Sequence, residues 1–269
     1  MDSKPFTFEK NDGFVTVMLS RPDSGNRLLT EDIRALGRTI RELGEQADVK
    51  AVVFRAQGNA FCLGRQPAVG AQAPKSAIAI RDDATQPILD LYADVRATPV
   101  PVLAVVQGEA RGFGCALVGQ CDLAIAVESA RFSLPELETN LPPTLAISAV
   151  LGKVPPKRLL HMVYSRRQID AHVALTMGLL SEVVARLDLE STVARTLAEL
   201  TSRSRSALCA VKEYMAVAPY ADPLGASRLA ANILSVVLSS PEANSWSRAG
   251  LPVFIMRPQP MRRFSANDL

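Results

Sequence analysis

The chain has 269 residues, 48% of them apolar and 21% charged, which excludes a disordered polymer and suits one large α/β domain or a core with a smaller appendage. A net charge of +3 gives no basis for a nucleic-acid partner. Four cysteines at irregular spacings, without a C-x-x-C, and only His161 and His172 make a structural zinc site an unsupported reading.

The N-terminal "MDSKPFTFEK" carries no apolar segment of the signal-peptide kind, and no apolar run reaches membrane-spanning length. The expectation is a cytoplasmic protein with reduced, half-buried thiols and no membrane partner. "FTFEKNDGFVTVMLSRP" predicts two short strands around an Asn-Asp-Gly turn, closed by Pro22. "LLTEDIRALGRTIRELGEQ" predicts a helix with Thr30 as N-cap, Glu31 and Asp32 in the first turn, and Ile33, Leu36, Ile40 and Leu43 on one apolar face. "KAVVFRA" is a strand covered on both faces.

Residues 57–76 show no period, with three Gly and two Pro, and predict a long functional loop. A helix over 78–96, the strand "PVPVLAVVQG", a Gly-rich turn, a short helix and the strand "DLAIAVES" follow. Strand–helix–strand repetition predicts βαβ units and a parallel sheet. Beyond residue 140 the pattern is mostly helical. Asp170 caps "AHVALTMG", Gly178 stops it, and "LLSEVVA" is a last strand. Three helical patterns run from about 187 to the end, the third opened by Asp222-Pro223. The division drawn from this is a core over 1–190 and a helical region over 191–269.

Two turns carry the chemistry. "NAFCLG" (59–64) follows one strand and "GEARGFG" (108–114) follows another, so both lie at carboxyl ends of parallel strands, where ligands bind. A Gly-rich turn opening a helix leaves backbone N–H groups without intrahelical acceptors, and two that converge on one oxygen make an oxyanion hole. A dinucleotide fingerprint fails, because Gly112-x-Gly114 requires Gly or Ala at 117 and Leu117 stands there.

In sequence order, "SRPDSGNRL", "GNAFCLGRQ", "VPVLAVVQGEARGFGCALVGQCDLAIA", "ARFSLPELETNLPP" and "IDAHVALTMGLLSEVV" resemble the motifs of the crotonase superfamily, the enoyl-CoA hydratase/isomerase group. The resemblance implies an α/β fold with a four-turn ββα spiral core and a C-terminal helical region used in trimerisation. It implies an acyl-CoA thioester as ligand, no cofactor beyond the coenzyme A moiety of that substrate, and a homotrimer or dimer of trimers. The backbone N–H groups of Leu63 and Phe113 are then the expected hole, with Arg21 and Arg65 beside the CoA phosphates. Arg257, Arg262 and Arg263 of the tail are further phosphate candidates.

Hydratases of that family use two glutamates. One position is Ala116 here; the other is Glu136 in "FSLPEL". An Ala methyl moves no proton, so the expected chemistry is double-bond isomerisation by a single glutamate. Hydration with Glu109 or a Glu136-held water covering the lost acid, decarboxylation or thioester hydrolysis on the same fold, and a non-catalytic acyl-CoA binder are the alternatives. Glu138 is expected on the opposite face from Glu136, Asp122 in a structural role, and His161 packed at the core boundary.

Overall fold

A computed structural model describes residues 4–66 and 76–240. The first two strands form as the turn signal requires. β1 (Phe6–Lys10) and β2 (Phe14–Leu19) pair antiparallel, with Phe6 opposite Leu19. β2 alternates half-buried and buried residues, and Val15, Val17 and Leu19 are sealed in the core.

Helix α1 (Thr30–Glu45) buries Ile33, Leu36, Ile40 and Leu43, the predicted stripe. Each such side chain contributes about 1.5–3 kcal/mol on removal from water. Its N-cap is Leu29, not Thr30, because Asp32 reaches back to accept the Leu29 N–H at 2.9 Å. That bond satisfies one orphan donor without a hydroxyl at the cap. Arg21 Nη1 lies 2.6 Å from Asp32 Oδ2, locking the strand exit to the helix start.

β3 (Ala51–Ala56), β5 (Val102–Val106), β7 (Leu123–Val127) and β10 (Glu182–Val184) extend the sheet in parallel, in the order β1-β2-β3-β5-β7-β10. The βαβ reading needs one correction. After each of β3, β5 and β7 the chain adds a three-residue strand before its next helix: β4 (Ala60–Cys62), β6 (Glu109–Arg111) and β8 (Arg131–Ser133). With β9 (Ile169–Asp170) these form a second sheet, β4-β6-β8-β9. The repeat is therefore ββα, and strands of three residues are too short to show an apolar period.

The helix expected over 78–96 is α2 (Ala77–Ile80), a π-helical turn (Arg81–Thr85) and α3 (Gln86–Ala97). α4 (Phe113–Gln120) is buried along its whole length, so it has no polar face. α5 (Thr144–Val150) and α6 (Pro156–Ser165) follow. In α7 (Ala171–Thr176), Asp170 accepts the Val173 N–H at 2.8 Å, and Gly178 takes φ 81° past its end, the cap and stop read from the sequence.

α8 (Leu189–Thr201) starts at the proposed division between 1–190 and 191–269 and packs Leu189, Val193 and Leu197 into the same core as the sheet. α9 (Arg205–Val217) and α10 (Pro223–Leu238) bury no residue of their own. α9 is tied to the core by polar bonds instead. Lys212 donates to the Val95 and Val100 carbonyls, both at 3.1 Å, and pairs with Asp122 at 2.7 Å. The tail arginines Arg257, Arg262 and Arg263 lie outside the described residues. Among the described residues no helix is long and apolar enough to cross a membrane.

Candidate active site

The ββα repeat delivers two backbone turns and one carboxylate to the same place. The first turn leaves β4 at Cys62 and runs through Leu63, Gly64 and Arg65. It is pinned by the segment before α1: Leu28 N–H donates to Gly64 O (3.2 Å), Gln66 N–H to Leu28 O (2.8 Å), and Arg27 Nη1 to Leu63 O (2.7 Å).

Leu63 is a correction. Its N–H donates to Gly25 O at 2.9 Å, so that donor is already spent on the turn. The parallel bridge between Leu28 and Arg65 uses the amides on either side of Arg65. Arg65 N–H therefore faces away from the bridge, and among the described residues it meets no acceptor.

The second turn leaves β6 at Arg111. Gly112 takes φ 54° and ψ −117°, a conformation that strains any residue with a Cβ, and its N–H donates to Ser133 O at 2.8 Å. Phe113 begins α4, so its N–H has no intrahelical acceptor, and none is found among the described residues. The bulk of Phe113 does not obstruct the turn. Its ring is 6% exposed and stacks on Tyr92 of α3, centroids 6.4 Å apart and planes 11° apart. The two turns touch directly, since a Cβ on Gly114 would collide with the Cys62 carbonyl oxygen.

Glu136 opens a 3-10 turn (Glu136–Thr139) just past β8. Its Oε1 lies 2.8 Å from where a Gly112 Cβ would stand, so the carboxylate rests on the bare face of the second turn. Its Oε2 is buried and has no hydrogen-bond partner among the described residues. Burial pushes the Glu136 carboxyl above its ordinary value, while its own backbone N–H and the Arg111 cation pull the other way. The Cys115 thiol is held neutral, pushed up to about 12 by burial and by the Glu136 charge. Ala116 is fully buried, with its N–H donating to Gly112 O at 3.0 Å.

Other candidates are placed elsewhere. Glu109 is bound by Gln168 Nε2 at 2.8 Å, at the end of β6 away from Gly112. Glu138 pairs with Arg111 at 2.9 Å, and the segment is a 3-10 turn rather than extended chain. Asp122 is structural, accepting Val102 N–H at 2.8 Å besides its Lys212 pair. His161 is exposed on α6, not packed at the core boundary.

Arg21 Nη1 is paired with Asp32 and its side chain is only 19% exposed. Arg65 is exposed and reaches Ala84 O at 2.6 Å, bracing the first turn against the segment before α3. Sequence reasoning passed over Arg27, Tyr92 and Arg111. Only Arg111 carried a signal, lying inside "ARGFG" one residue before the strained glycine.

A cleft of about 510 Å³ lies between β1–β3 and α8, where Arg55 and Glu190 are already paired at 2.8 Å. None of the site residues lines it, whereas a buried, unpartnered carboxylate with a raised pKa beside two unpaired amides is the arrangement that chemistry uses. All four cysteines are free, three of them buried. Among the described residues no three His, Cys, Asp or Glu side chains are grouped to hold a metal ion.

Comparison with known proteins gives the family and the fold. The family model described as enoyl-CoA hydratase/isomerase matches residues 9–257. Enoyl-CoA hydratase domain-containing protein 3 of rat, a mitochondrial protein, is 31% identical over 199 residues, spanning 73% of this chain and 65% of the rat protein's length. A crystal structure of enoyl-CoA hydratase from Mycobacterium smegmatis superposes with a TM-score of 0.87 at 27% identity, covering 93% of this chain and 96% of that one. The human domain-containing protein 3 superposes with a TM-score of 0.85 at 26% identity, covering 92% and 97%.

Proposed function

We propose a function from one premise: the chain belongs to the enoyl-CoA hydratase/isomerase family, with the crotonase fold. On that premise the ligand is an acyl-CoA thioester and the reaction is enoyl-CoA double-bond isomerisation. The thioester oxygen sits between the N–H groups of Arg65 and Phe113. Arg65 N–H takes the place expected for Leu63 because the Leu63 donor is bound to Gly25 O. Charge developing on the oxygen as the enolate forms meets two donors fixed in advance by their turns, so the stabilisation grows toward the transition state.

Glu136 supplies the proton transfer. As carboxylate it takes the C2 proton of a 3-enoyl thioester, and the electron pair delocalises onto the thioester oxygen and, through the C3=C4 double bond, onto C4. As carboxylic acid it returns the same proton to C4, leaving the double bond between C2 and C3. No second acid and no water are consumed. The observation that carries this reading is the contrast between Ala116, sealed and apolar, and Glu136, whose buried oxygen is unpaired. Burial that raises the carboxyl makes it a stronger base than an exposed glutamate. Hydration with Glu109 as the second acid is disfavoured by the Glu109–Gln168 bond on the far end of β6.

Incubation with a 3-enoyl-CoA and, separately, with a 2-enoyl-CoA in water tests the assignment. The expected result is conversion of the first to the 2-enoyl isomer and slow hydration of the second. Rapid hydration that survives Glu136→Gln would remove the single-base mechanism.

The remaining donors of the exposed Arg65 guanidinium are proposed to meet the CoA phosphates, its Nη1 being bound to Ala84 O. The assembly proposed is a homotrimer or dimer of trimers. It is supported by α9 and α10, which expose Val211, Met215, Leu234 and Val236 by 58–70% each while burying nothing. Light scattering should give a mass of three or six chains, and a monomer would refute it. The cytoplasm is the proposed compartment, in keeping with the free thiols.

A further inference from the structure

We propose that Arg111 is a positioning residue for Glu136. Clasped to Glu138, its guanidinium ties the strand entering the Gly112 turn to the 3-10 turn that presents Glu136, and it holds a cation beside that carboxylate. Arg111 is the last residue of β6, directly before Gly112, and Glu136 and Glu138 share one short turn. The Arg111 Nη2–Glu138 Oε2 pair at 2.9 Å therefore joins the two segments whose approach sets Glu136 Oε1 against Gly112. The two partners keep 39% and 49% of their side-chain surface, so the pair adds little to global stability. Its consequence is local: beside the Glu136 backbone N–H, which is the stronger influence, Arg111 opposes the burial that would otherwise drive Glu136 further toward its neutral form.

The other groups around Glu136 leave this role to Arg111. Tyr92 from α3 and Cys115 from α4 both feel the Glu136 charge and are both held neutral by burial. Arg65 acts on Tyr92 rather than on Glu136. α6, packed on the 3-10 turn, carries Lys157, Arg158 and His161, and none of them shifts Glu136. Glu138 is the counter-charge that Arg111 already carries.

Two substitutions that break the same ion pair should then move Glu136 in opposite directions. Arg111→Met removes the cation and raises the Glu136 titration, whereas Glu138→Gln removes a nearby anion, leaves Arg111 uncompensated and lowers it. Shifts of about half a unit to one unit each way are expected, with the double variant close to wild type and Arg111→Lys restoring most of the effect.

The proposal rests on the reading of Glu136 as the base, but its readout does not. Infrared titration of the protonated-carboxyl band, wild type minus Glu136→Gln, follows Glu136 with no substrate present. The acidic limb of kcat/KM for 3-enoyl-CoA should move with it. A pair that only scaffolds the turn would, in either variant, let water reach Glu136 and shift its titration downward both times. A downward or null shift in Arg111→Met overturns the proposal. Loss of the single-base mechanism would instead appear as activity surviving Glu136→Gln while the infrared shifts persist.

Discussion

Glu136→Gln is expected to reduce turnover of a 3-enoyl-CoA by about 10²–10⁴-fold, the usual contribution of a positioned general base, with KM little changed. Gln preserves the shape that lies against Gly112, where the side-chain oxygen stands 2.8 Å from the site of an absent Cβ. An amide cannot accept the C2 proton, so the loss falls on kcat. The wild-type pH profile carries a second signature. Because burial raises the Glu136 carboxyl, the acidic limb should lie above that of an exposed glutamate, with activity lost as pH falls through the raised value.

Stability moves the other way. A carboxylate whose folded pKa exceeds its unfolded value makes folding less favourable at pH above the folded pKa, and that cost fades as pH falls toward the unfolded value. At neutral pH the charged, half-unpaired Glu136 is a burden on the fold. Glu136→Gln should therefore unfold at the same Tm as wild type or higher at pH 7, and the difference should shrink in acid. Turnover within tenfold of wild type would place the base elsewhere.

The fold was legible wherever a segment was long enough to show its period. β2 and α1 display alternating and helical apolar spacing, and the caps at Asp170 and Asp222 appear where their side chains accept the expected amides. The second sheet was not legible, since β4, β6 and β8 have three residues each and lie inside segments whose glycines read as turns. The absence of a Thr30 hydroxyl cap has a similar origin. Asp32 serves both the Leu29 amide and Arg21, a contact between segments that local preference cannot contain.

The candidate site divides along the same line. Glu136, Ala116 and the Phe113 donor follow from their positions in ordered motifs, and the structure gives each a geometry. Which amide of the first turn is free does not follow from position. Leu63 and Arg65 both flank Gly64, and the choice depends on Gly25, 38 residues before Leu63, and on Leu28, 37 residues before Arg65. Tyr92 reaches the site only through tertiary packing, the Arg111–Glu138 pair forms across two segments, and Arg21 is drawn to Asp32 in the same way.

Gly114→Ala is the substitution expected to damage the donor pair most directly. Gly114 lies inside α4 without a positive φ, so local preference alone would favour Ala there by about 1 kcal/mol. Packing reverses that sign. The new Cβ would run into the Cys62 carbonyl oxygen and stand 2.8 Å from both the Cys62 carbonyl carbon and its Cβ. Nothing flexible can yield, because Cys62 belongs to β4, which pairs with β6, and its thiol donates to Asn26 O at 3.2 Å. Either α4 or the first turn must move, and the Phe113 and Arg65 amides then no longer point at one oxygen.

Loss of one oxyanion donor costs about 10²–10³-fold in kcat, and overpacking a buried contact costs about 1–3 kcal/mol of stability. A variant that still folds should therefore bind a non-enolisable thioether analogue of the substrate with nearly wild-type affinity while turning over at about a hundredth of the rate or less. Isothermal titration with that analogue, beside steady-state kinetics on the same preparation, separates the two effects. Folded Gly114→Ala with kcat within threefold of wild type would mean that the contact between Gly114 and Cys62 does not set the distance between the two amides.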